Sequence, residues 1–277
     1  MFFLGLASSA YGASENFLVY PIRQEVIINP GENKDVFFTI ANNLATDSSF
    51  LIGLENLSQV KSRGGKDSSA LNSVVQFTTF DSGPVRIGKG QKIKIPIRIS
   101  IPAGVTPGGY YGVVTVTNQS DSLGQTKISS AVGSALFVRV SGKVTEKGEI
   151  VNFGLSGKNF IFGNPPLNFQ TTFSNTGNIY LNPYGLLEIK NILGQRVKIL
   201  EYKPWSVLPG ASVMKVVSLP NHSLWGYYQA HLYLNLGYEN KVWQRTVSFF
   251  VVPWWLLALV LVVLVGLIIF FKLKLKK

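Results

Sequence analysis

The sequence feature that most constrains this fold is a strict two-residue alternation at positions 92–101. Isoleucine fills every second position, at Ile93, Ile95, Ile97, Ile99 and Ile101. Lysine, proline, arginine and serine fill the positions between them. Successive side chains of a strand point to opposite faces, so the pattern predicts one buried and one wet face, as in an antiparallel sheet. Pro96 lacks an N–H group and predicts an edge strand or a bulge there.

The same β pattern recurs along most of the chain. Runs rich in Val, Ile, Phe and Thr alternate with turns of Gly, Pro, Asn and Ser. Before residue 249, no window shows a clean helical repeat of apolar residues. About seven short strands per domain are typical of an immunoglobulin-like sandwich. The sequence therefore predicts an all-β fold of two tandem immunoglobulin-like β-sandwich domains, at residues 14–141 and 142–250.

An uncharged apolar stretch lies at the C-terminal end, from Phe249 to Phe271. Roughly 20 apolar residues suffice to cross a bilayer, so we predict a transmembrane helix at 251–271 and a basic cytoplasmic tail at 272–277. The anchor residues would be Trp254 and Trp255 at one membrane surface, and Lys272, Lys274, Lys276 and Lys277 at the other. This predicts a single-pass protein of the cell membrane with extracytoplasmic domains, a cytoplasmic C-terminus and the lipid bilayer as a partner.

The N-terminal end supports export. Residues 1–13 contain an apolar run followed by small residues, as in a signal peptide with its cleavage site. The positively charged segment that normally opens such a peptide is missing. A signal peptide truncated by a late start codon would explain this departure.

Charge and composition exclude several classes of function. Of the 26 Lys and Arg, 12 fall in residues 14–141 and 10 in residues 142–250, against 9 and 5 Asp and Glu. This mild excess does not form the basic stripe of a nucleic-acid-binding protein. With two His, no Cys and no nucleophile elbow, we expect no catalytic residues, no metal site and no cofactor. The chain is therefore predicted not to be an enzyme.

Two groups of residues are candidates for ligand contact. Lys92, Lys94 and Arg98 lie on the wet face of the alternating strand, and Tyr110, Tyr111 and Tyr233 belong to aromatic runs. Cations on an edge strand also discourage aggregation, and large aromatics also fill sandwich cores. Both explanations stay open at this point.

The two halves share a set of turn and strand motifs. Each has a Pro-Gly turn before a strand, an Asn-rich turn after one, and Gly-Tyr-Tyr opening a late strand. These are Pro30-Gly31 and Pro209-Gly210, Asn42-Asn43 and Asn175–Asn178, and Gly109-Tyr110-Tyr111 and Gly226-Tyr227-Tyr228. With the apolar C-terminal stretch, this order resembles the WxL-interacting surface proteins of Gram-positive and related bacteria. The resemblance implies a first domain that binds peptidoglycan and a second that binds a host or partner protein.

We therefore expect a membrane-anchored cell-surface protein that binds cell-wall polymer, a partner surface protein, or both. The alternative is a structural scaffold or assembly factor for an envelope protein complex, without glycan binding. An edge strand would suit this alternative, because a partner strand can extend an unpaired sheet edge.

Overall fold

The computed structural model describes residues 17–57, 71–119, 130–220, 223–238 and 241–274. The chain forms two compact units that divide between Val144 and Thr145. We call these units the first and the second domain. The predicted signal peptide at 1–13 lies outside the described residues, and the predicted domain limits stay predictions.

The described residues of the first domain form ten strands and one short 3-10 helix, Val75–Phe77. The strands are β1 Phe17–Tyr20, β2 Arg23–Ile28, β3 Asn33–Asn42, β4 Ser48–Asn56, β5 Asn72–Ser73, β6 Thr78–Thr79, β7 Val85–Ile87, β8 Lys92–Ser100, β9 Gly108–Gln119 and β10 Ala131–Val140. One sheet has the order β1-β3-β8-β6, and the other has the order β2-β10-β9-β4-β7 with β5 beside β9. The chain passes from the first sheet to the second at Pro21, where β2 joins β10 in parallel.

The second domain repeats this plan with eight strands. They are β11 Gly148–Leu155, β12 Phe160–Phe162, β13 Leu167–Asn175, β14 Tyr184–Asn191, β15 Arg196–Tyr202, β16 Ser212–Leu219, β17 Gly226–Asn235 and β18 Val242–Val252. The sheets have the orders β11-β13-β16 and β12-β18-β17-β14-β15. The prediction of an all-β chain with two immunoglobulin-like sandwiches is confirmed.

Each domain has its own core, built from the inward positions of its strands. In β8, Ile95, Ile97 and Ile99 are buried while the residues between them are exposed, which confirms the predicted alternation. The second core is more aromatic, with Phe169 and Phe173 of β13 fully buried. Burying one such side chain stabilises a fold by about 1.5–3 kcal/mol, so these rows determine the register of each sheet.

A fully buried asparagine ends the third strand of each domain, β3 and β13. In the first domain, Asn42 Nδ2 donates to the carbonyls of Thr46 and Ile87 at 3.0 and 2.9 Å. In the second, Asn175 Nδ2 donates to the carbonyls of Ile179 and Val207, both at 2.8 Å. The Asn-rich turns of the two halves are therefore equivalent. In each, the asparagine side chain bonds both to the loop that follows it and to backbone that lies just before a later strand.

The other shared motifs are not equivalent. Gly31 precedes β3, whereas Gly210 precedes β16, which pairs with the strand corresponding to β3. In the Gly-Tyr-Tyr motifs, the first tyrosine of one domain and the second of the other enter the core clusters. Neighbouring residues of a strand point to opposite faces. The two motifs are therefore offset by one residue when the domains are compared by structure.

The C-terminal helix α1 spans Trp254–Lys274. In the described part of the chain, no helix is long and apolar enough to cross a membrane. Four residues of the apolar stretch, Phe249–Val252, belong to β18 instead, and three of these four are buried. The helix then has 18 residues before Lys272, about 27 Å at 1.5 Å per residue, against a hydrocarbon thickness of about 30 Å.

The predicted transmembrane helix at 251–271 is therefore not supported, and the single-pass membrane localisation that depended on it is wrong. The predicted anchor residues have other positions: Trp254 and Trp255 border a cleft in the second domain, and Lys272 and Lys274 lie in the last turn of α1. Lys276 and Lys277 lie outside the described residues.

Candidate functional site

The most accessible backbone of the second domain lies along the outer edge of β18. One side of this strand pairs with β17 over its whole length from Val242 to Val251. The other side pairs with β12 only at Phe250–Val252. No other described strand pairs with that side. We call the outer edge of Val242–Phe249 the open edge.

The direction of the backbone groups along the open edge follows from two hydrogen bonds. Phe250 N–H donates to the carbonyl of Asn159, and Gly163 N–H donates to the carbonyl of Val252. Because backbone groups alternate in direction along a strand, the even-numbered residues direct their N–H and C=O groups outward. Val242, Gln244, Thr246 and Ser248 thus offer a row of donors and acceptors to an added strand.

The corresponding edge of the first domain is occupied by the chain itself. There β2 pairs in parallel with β10 over Ala135–Val140, six residues. Ala135 N–H donates to the carbonyl of Ile22 at 3.0 Å, and Ser141 N–H donates to the carbonyl of Ile28 at 2.9 Å. The first domain therefore shows that this sandwich seats a strand along the last six residues of β10, whereas β12 covers only the last three of β18; Ala131–Ser134, at the start of β10, have no described strand partner on that side either.

A cleft of about 430 Å³ lies beside the start of the open edge. Its lining comes from the start of β11, the end of β13 and the turn between β17 and β18: Lys147, Gly148, Glu149, Thr176, Tyr238, Lys241 and Trp243. The buried Tyr238 fixes this wall, since its hydroxyl lies 3.2 Å from both the N–H and the carbonyl of Gly148. We call this the cationic cleft.

Two cations of this region lie over aromatic rings. Lys241 Nζ is 5.5 Å from the centre of the Tyr238 ring, and Arg245 Cζ is 5.2 Å from the centre of the Trp243 ring. Trp243 packs against the core, whereas Arg245 is exposed on the next inward position of β18. A positive, ring-lined concavity thus adjoins the open edge.

The predicted cationic contacts form a row on the first domain, as expected. Lys92, Lys94 and Arg98 are exposed on β8. Arg98 forms a two-pronged ion pair with Asp35, with distances of 2.8 and 2.9 Å, and this hydrogen bonding holds the pKa of Asp35 below its ordinary value. Lys94 Nζ lies 4.2 Å from the centre of the Phe37 ring. Arg98 is thus already engaged, and whether the row binds a ligand stays a prediction.

The predicted aromatic contacts in the first domain are wrong in their exposure. Tyr110 and Tyr111 are both buried. The Tyr110 hydroxyl donates to the carbonyl of Thr106, and the Tyr111 ring packs on Phe137 at 5.1 Å. Simple alternation would expose one ring of the pair, but β5 adds to β9 at these two residues. Both rings therefore pack inside the first domain, and their role in ligand contact stays a prediction.

Tyr233 lies on the outer face of β17 and is partly exposed. It is paired with Leu186 of β14 and Gln244 of β18. It therefore lies one strand away from the open edge, and its role in ligand contact stays a prediction.

A second cleft of about 360 Å³ lies at the other end of β18. It is lined by Gly163, Asn164, Ser223, Leu224, Trp225, Pro253, Trp254 and Trp255. The Trp225 and Trp255 ring centres are 6.5 Å apart. The Tyr228 hydroxyl lies 3.1 Å from the carbonyl of Trp225. Among the described residues, the lining of this cleft is mainly apolar and includes no charged side chain.

Titratable groups do not gather into a reactive site among the described residues. His231 Nδ1 lies 2.9 Å from Thr246 Oγ1, and its pKa is lowered by burial and by nearby Lys190, against an opposing effect of Glu188. In the described ranges, no group of three or more His, Asp or Glu is placed to hold a metal ion.

Sequence reasoning missed the open edge, although one signal was present. The run Phe160–Phe162 is followed at once by Gly163-Asn164-Pro165-Pro166. That turn places the end of the run beside Val252, but β12 runs parallel to β18 and starts only at Phe160, opposite Phe250. The open edge therefore follows from where β12 begins, and the residues before it, Ser156-Gly157-Lys158-Asn159, are typical of a turn. The cationic cleft had no comparable signal, because its lining comes from three separate parts of the chain.

Comparisons with known proteins give a likeness of fold only. No family model matches the sequence, and no curated protein matches it. The E. coli chaperone DraB is 15% identical, with 83% of this chain and 98% of that chain covered at a TM-score of 0.41. The class 5 fimbriae chaperone CfaA is 16% identical, with 86% and 100% covered at a TM-score of 0.42. The YadV chaperone is 13% identical, with 84% and 99% covered at a TM-score of 0.42.

These comparisons correct one prediction and agree with another. The similar solved structures are named as chaperones and not as WxL-interacting surface proteins, so the predicted membership of the WxL-interacting family is wrong. The resemblance depended on Pro-Gly and Asn-rich turns, which many sandwiches share. None of the three is named as an enzyme, in agreement with the prediction that this chain is not one. We infer its function below from its own geometry.

Proposed function

We propose that this protein is a non-enzymatic assembly factor of the cell envelope that binds an extended segment of a partner protein along the open edge. The observation that carries the proposal is the eight-residue stretch Val242–Phe249, whose outward backbone groups have no described strand partner. In β-strand addition, main-chain hydrogen bonds supply affinity and adjacent pockets supply specificity.

The first domain supports this mode of binding. Its strand β2 is seated beside β10 in the same position of the sandwich, in parallel and over six residues. The second domain has the same sheet order, with β12 pairing over only three residues. A partner segment would complete in the second domain what β2 completes in the first.

The side chains along the open edge also support it. Edge strands that avoid pairing commonly carry proline, which removes an N–H group, or several lysines. The part of β8 before Arg98, which β6 does not cover, is of this kind, because Pro96 and two lysines lie along it. Strand β18 contains no proline, and Arg245 is its one charged residue. The open edge thus keeps every outward N–H group that an added strand requires.

The test is site-specific photo-crosslinking in cells that express the full chain, with the crosslinking side chain at Gln244. Thr246→Pro removes one outward N–H group and should abolish the crosslinked product. Thr246→Val keeps that N–H group, removes the same hydroxyl and should leave the product intact. A product that persists in Thr246→Pro would overturn the proposal.

Binding of cell-wall polymer is a second candidate function, favoured by the exposed row on β8. Lys92 and Lys94 are exposed there, and Lys94 lies over the Phe37 ring. Cations beside an exposed ring suit an anionic glycan. Full chain carrying Lys92→Gln and Lys94→Gln should sediment less with purified peptidoglycan than unchanged protein. The matched control replaces Lys198 and Lys203 of the second domain, and equal sedimentation of both variants would exclude this surface.

A further inference from the structure

We propose that the open edge selects partner segments that place an aliphatic side chain opposite Val247. The inference rests on the proposed strand addition and specifies which sequences the edge accepts. Its ligand is an extended peptide with isoleucine or valine at that one inward position, where the side chain would complete the core of the second domain.

Val247 lies on the inward face of β18. It is paired with Ala230 of β17, which is fully buried, and residues directly opposite each other on neighbouring strands share a face. Although Val247 packs against the core of the second domain, it is only partly buried. Phe249, the next inward residue of the strand, is buried. The core therefore becomes accessible from the open edge at Val247.

The strands that each domain seats beside its own last strand show which side chains suit such a position. Aliphatic residues lie opposite each other at three covered positions: Val26 and Val138, Ile28 and Val140, and Ile161 and Val251. All six side chains are buried, and those on the last strands are at most 1% exposed. Each seated strand thus contributes β-branched aliphatic side chains to the core.

One covered position differs from these three. Leu136 of β10 lies opposite Gln24 and is nevertheless fully buried, so the rest of the first domain already covers it. Val247 is partly exposed instead. A polar residue opposite Val247 would leave that exposed surface unburied, whereas an aliphatic residue would remove both side chains from water.

A second partly buried side chain faces the same core from the other sheet. Phe153 of β11 is paired with Thr171 of β13, which is fully buried, so Phe153 also points inward. It packs against the same core as Val247 without being fully buried. The core is thus incompletely covered on both sheets, and burial of apolar surface is favourable roughly in proportion to its area.

The test attaches peptides to the full chain at a fixed register. The chain contains no cysteine, so Gln244→Cys provides a unique thiol on the exposed outer face of the open edge, within disulfide reach of a peptide cysteine opposite it. The probes are seven-residue peptides with a central cysteine, serine and threonine at the intermediate positions, and the same test residue at both ends. Whichever way a peptide runs, one end then lies opposite Val247.

Disulfide exchange in a thiol buffer, followed by mass spectrometry, compares peptides with isoleucine, threonine or glutamate at the ends. The isoleucine peptide should be captured about tenfold more than the other two, since burial of one aliphatic side chain supplies at least this much. Adding Val247→Thr, which keeps the branched shape, should reduce the preference. The matched control carries Tyr233→Cys on β17, where strands pair on both sides, and should capture all three peptides equally and weakly.

The outcomes separate this inference from the proposed function. If Gln244→Cys captures the three peptides equally but more than Tyr233→Cys does, strand addition stands and the aliphatic preference is overturned. Preferred capture of threonine or glutamate, or an isoleucine preference that Val247→Thr leaves unchanged, would overturn it as well. If Gln244→Cys captures none of the peptides better than Tyr233→Cys does, the proposed strand addition itself fails.

Discussion

The two domains follow one plan but differ in how much of the outer edge of their last strand is covered. In the first, β2 pairs with β10 over six residues; in the second, β12 pairs with β18 over three. Both domains nevertheless keep a buried asparagine and a tyrosine whose hydroxyl bonds to the backbone upstream of its strand. The hydrogen bonds that stabilise each sandwich are thus shared, whereas the length of the last strand that a neighbouring strand covers differs. Stability and binding therefore depend on different residues, and the two can be tested separately.

The largest expected effect concerns a feature that the domains share. Asn175→Ala removes the hydrogen bonds to the buried carbonyls of Ile179 and Val207. Leaving buried acceptors unsatisfied costs about 1–3 kcal/mol each, so the second domain should lose about 3 kcal/mol of unfolding free energy. Asn42→Ala should do the same to the first domain. Urea unfolding followed by hydrogen exchange resolved along the chain measures each domain separately.

The control for these variants is Asn191→Ala in the hairpin between β14 and β15. Its side chain accepts from the N–H groups of Leu193 and Gln195 in an exposed turn. Water replaces such bonds, so the loss should stay near 0.5–1 kcal/mol. If Asn42→Ala or Asn175→Ala costs no more than this control, the buried asparagines do not hold the loops.

The next effect measures the difference between the two edges directly. Ala135→Pro removes an N–H group that donates to Ile22 in the first domain, whereas Thr246→Pro removes one that faces outward. The first substitution should cost about 2 kcal/mol through the lost ladder bond and the unsatisfied carbonyl, and the second less than about 1 kcal/mol. Thermal unfolding of both variants provides the measurement, and equal losses would show that the edges do not differ.

A smaller effect concerns the polar group in the core of the second domain. Tyr202 is buried, and its hydroxyl lies 3.0 Å from Thr171 Oγ1. Burial raises the pKa of Tyr202, with the hydrogen bond to Thr171 opposing this. As pH rises above about 10 the unfolded chain loses this proton first, so this contribution to stability is present below that pH and is lost as pH rises toward the folded-state pKa.

Tyr202→Phe should therefore cost about 1 kcal/mol at neutral pH through the lost hydrogen bond. It should also make the second domain less sensitive to alkaline pH. Urea unfolding of the variant and of the unchanged protein, at neutral pH and at a pH above about 10, tests this. The control is Tyr184→Phe, at an exposed tyrosine. An unchanged alkaline loss in Tyr202→Phe would assign that loss to other groups.

The smallest effect belongs to the exposed ion pair of the first domain. Hydrogen bonding to Arg98 lowers the pKa of Asp35. A carboxyl group with a lowered pKa contributes stability above its unfolded-state pKa, and this contribution disappears as pH falls through the folded-state pKa. Arg98→Gln should change the melting temperature at neutral pH only slightly, because exposed pairs contribute little. A large shift would show that the row on β8 supports the fold.

Much of the fold was predictable because burial follows a simple period. The isoleucine alternation of β8 places Ile95, Ile97 and Ile99 inside as expected. The start of the predicted helix was misassigned because hydropathy does not distinguish the last residues of a buried strand from the start of a helix. Val251 and Val252 are apolar in either case, and only the pairing with β17 and β12 assigns them to β18.

The candidate site was not predictable in the same way. Alternation predicts one exposed ring in the Tyr110-Tyr111 pair, but both rings are buried, and a two-residue strand, β5, adds to β9 at these residues. The open edge depends on where β12 begins relative to β18, which is a relation between segments about 90 residues apart. Burial along one strand follows a two-residue period that can be read from the sequence. Contacts between residues of different strands depend on how those strands are arranged in the sheet.

The backbone row at Val242–Phe249 has a consequence for the rate of binding. It is held in place by full pairing with β17 on its other side, so a partner meets a surface that is already formed. The ordering entropy of the complex then falls almost entirely on the incoming segment. Association should accelerate when that segment is made stiffer in an extended form, and core substitutions that leave β18 intact should not change its speed.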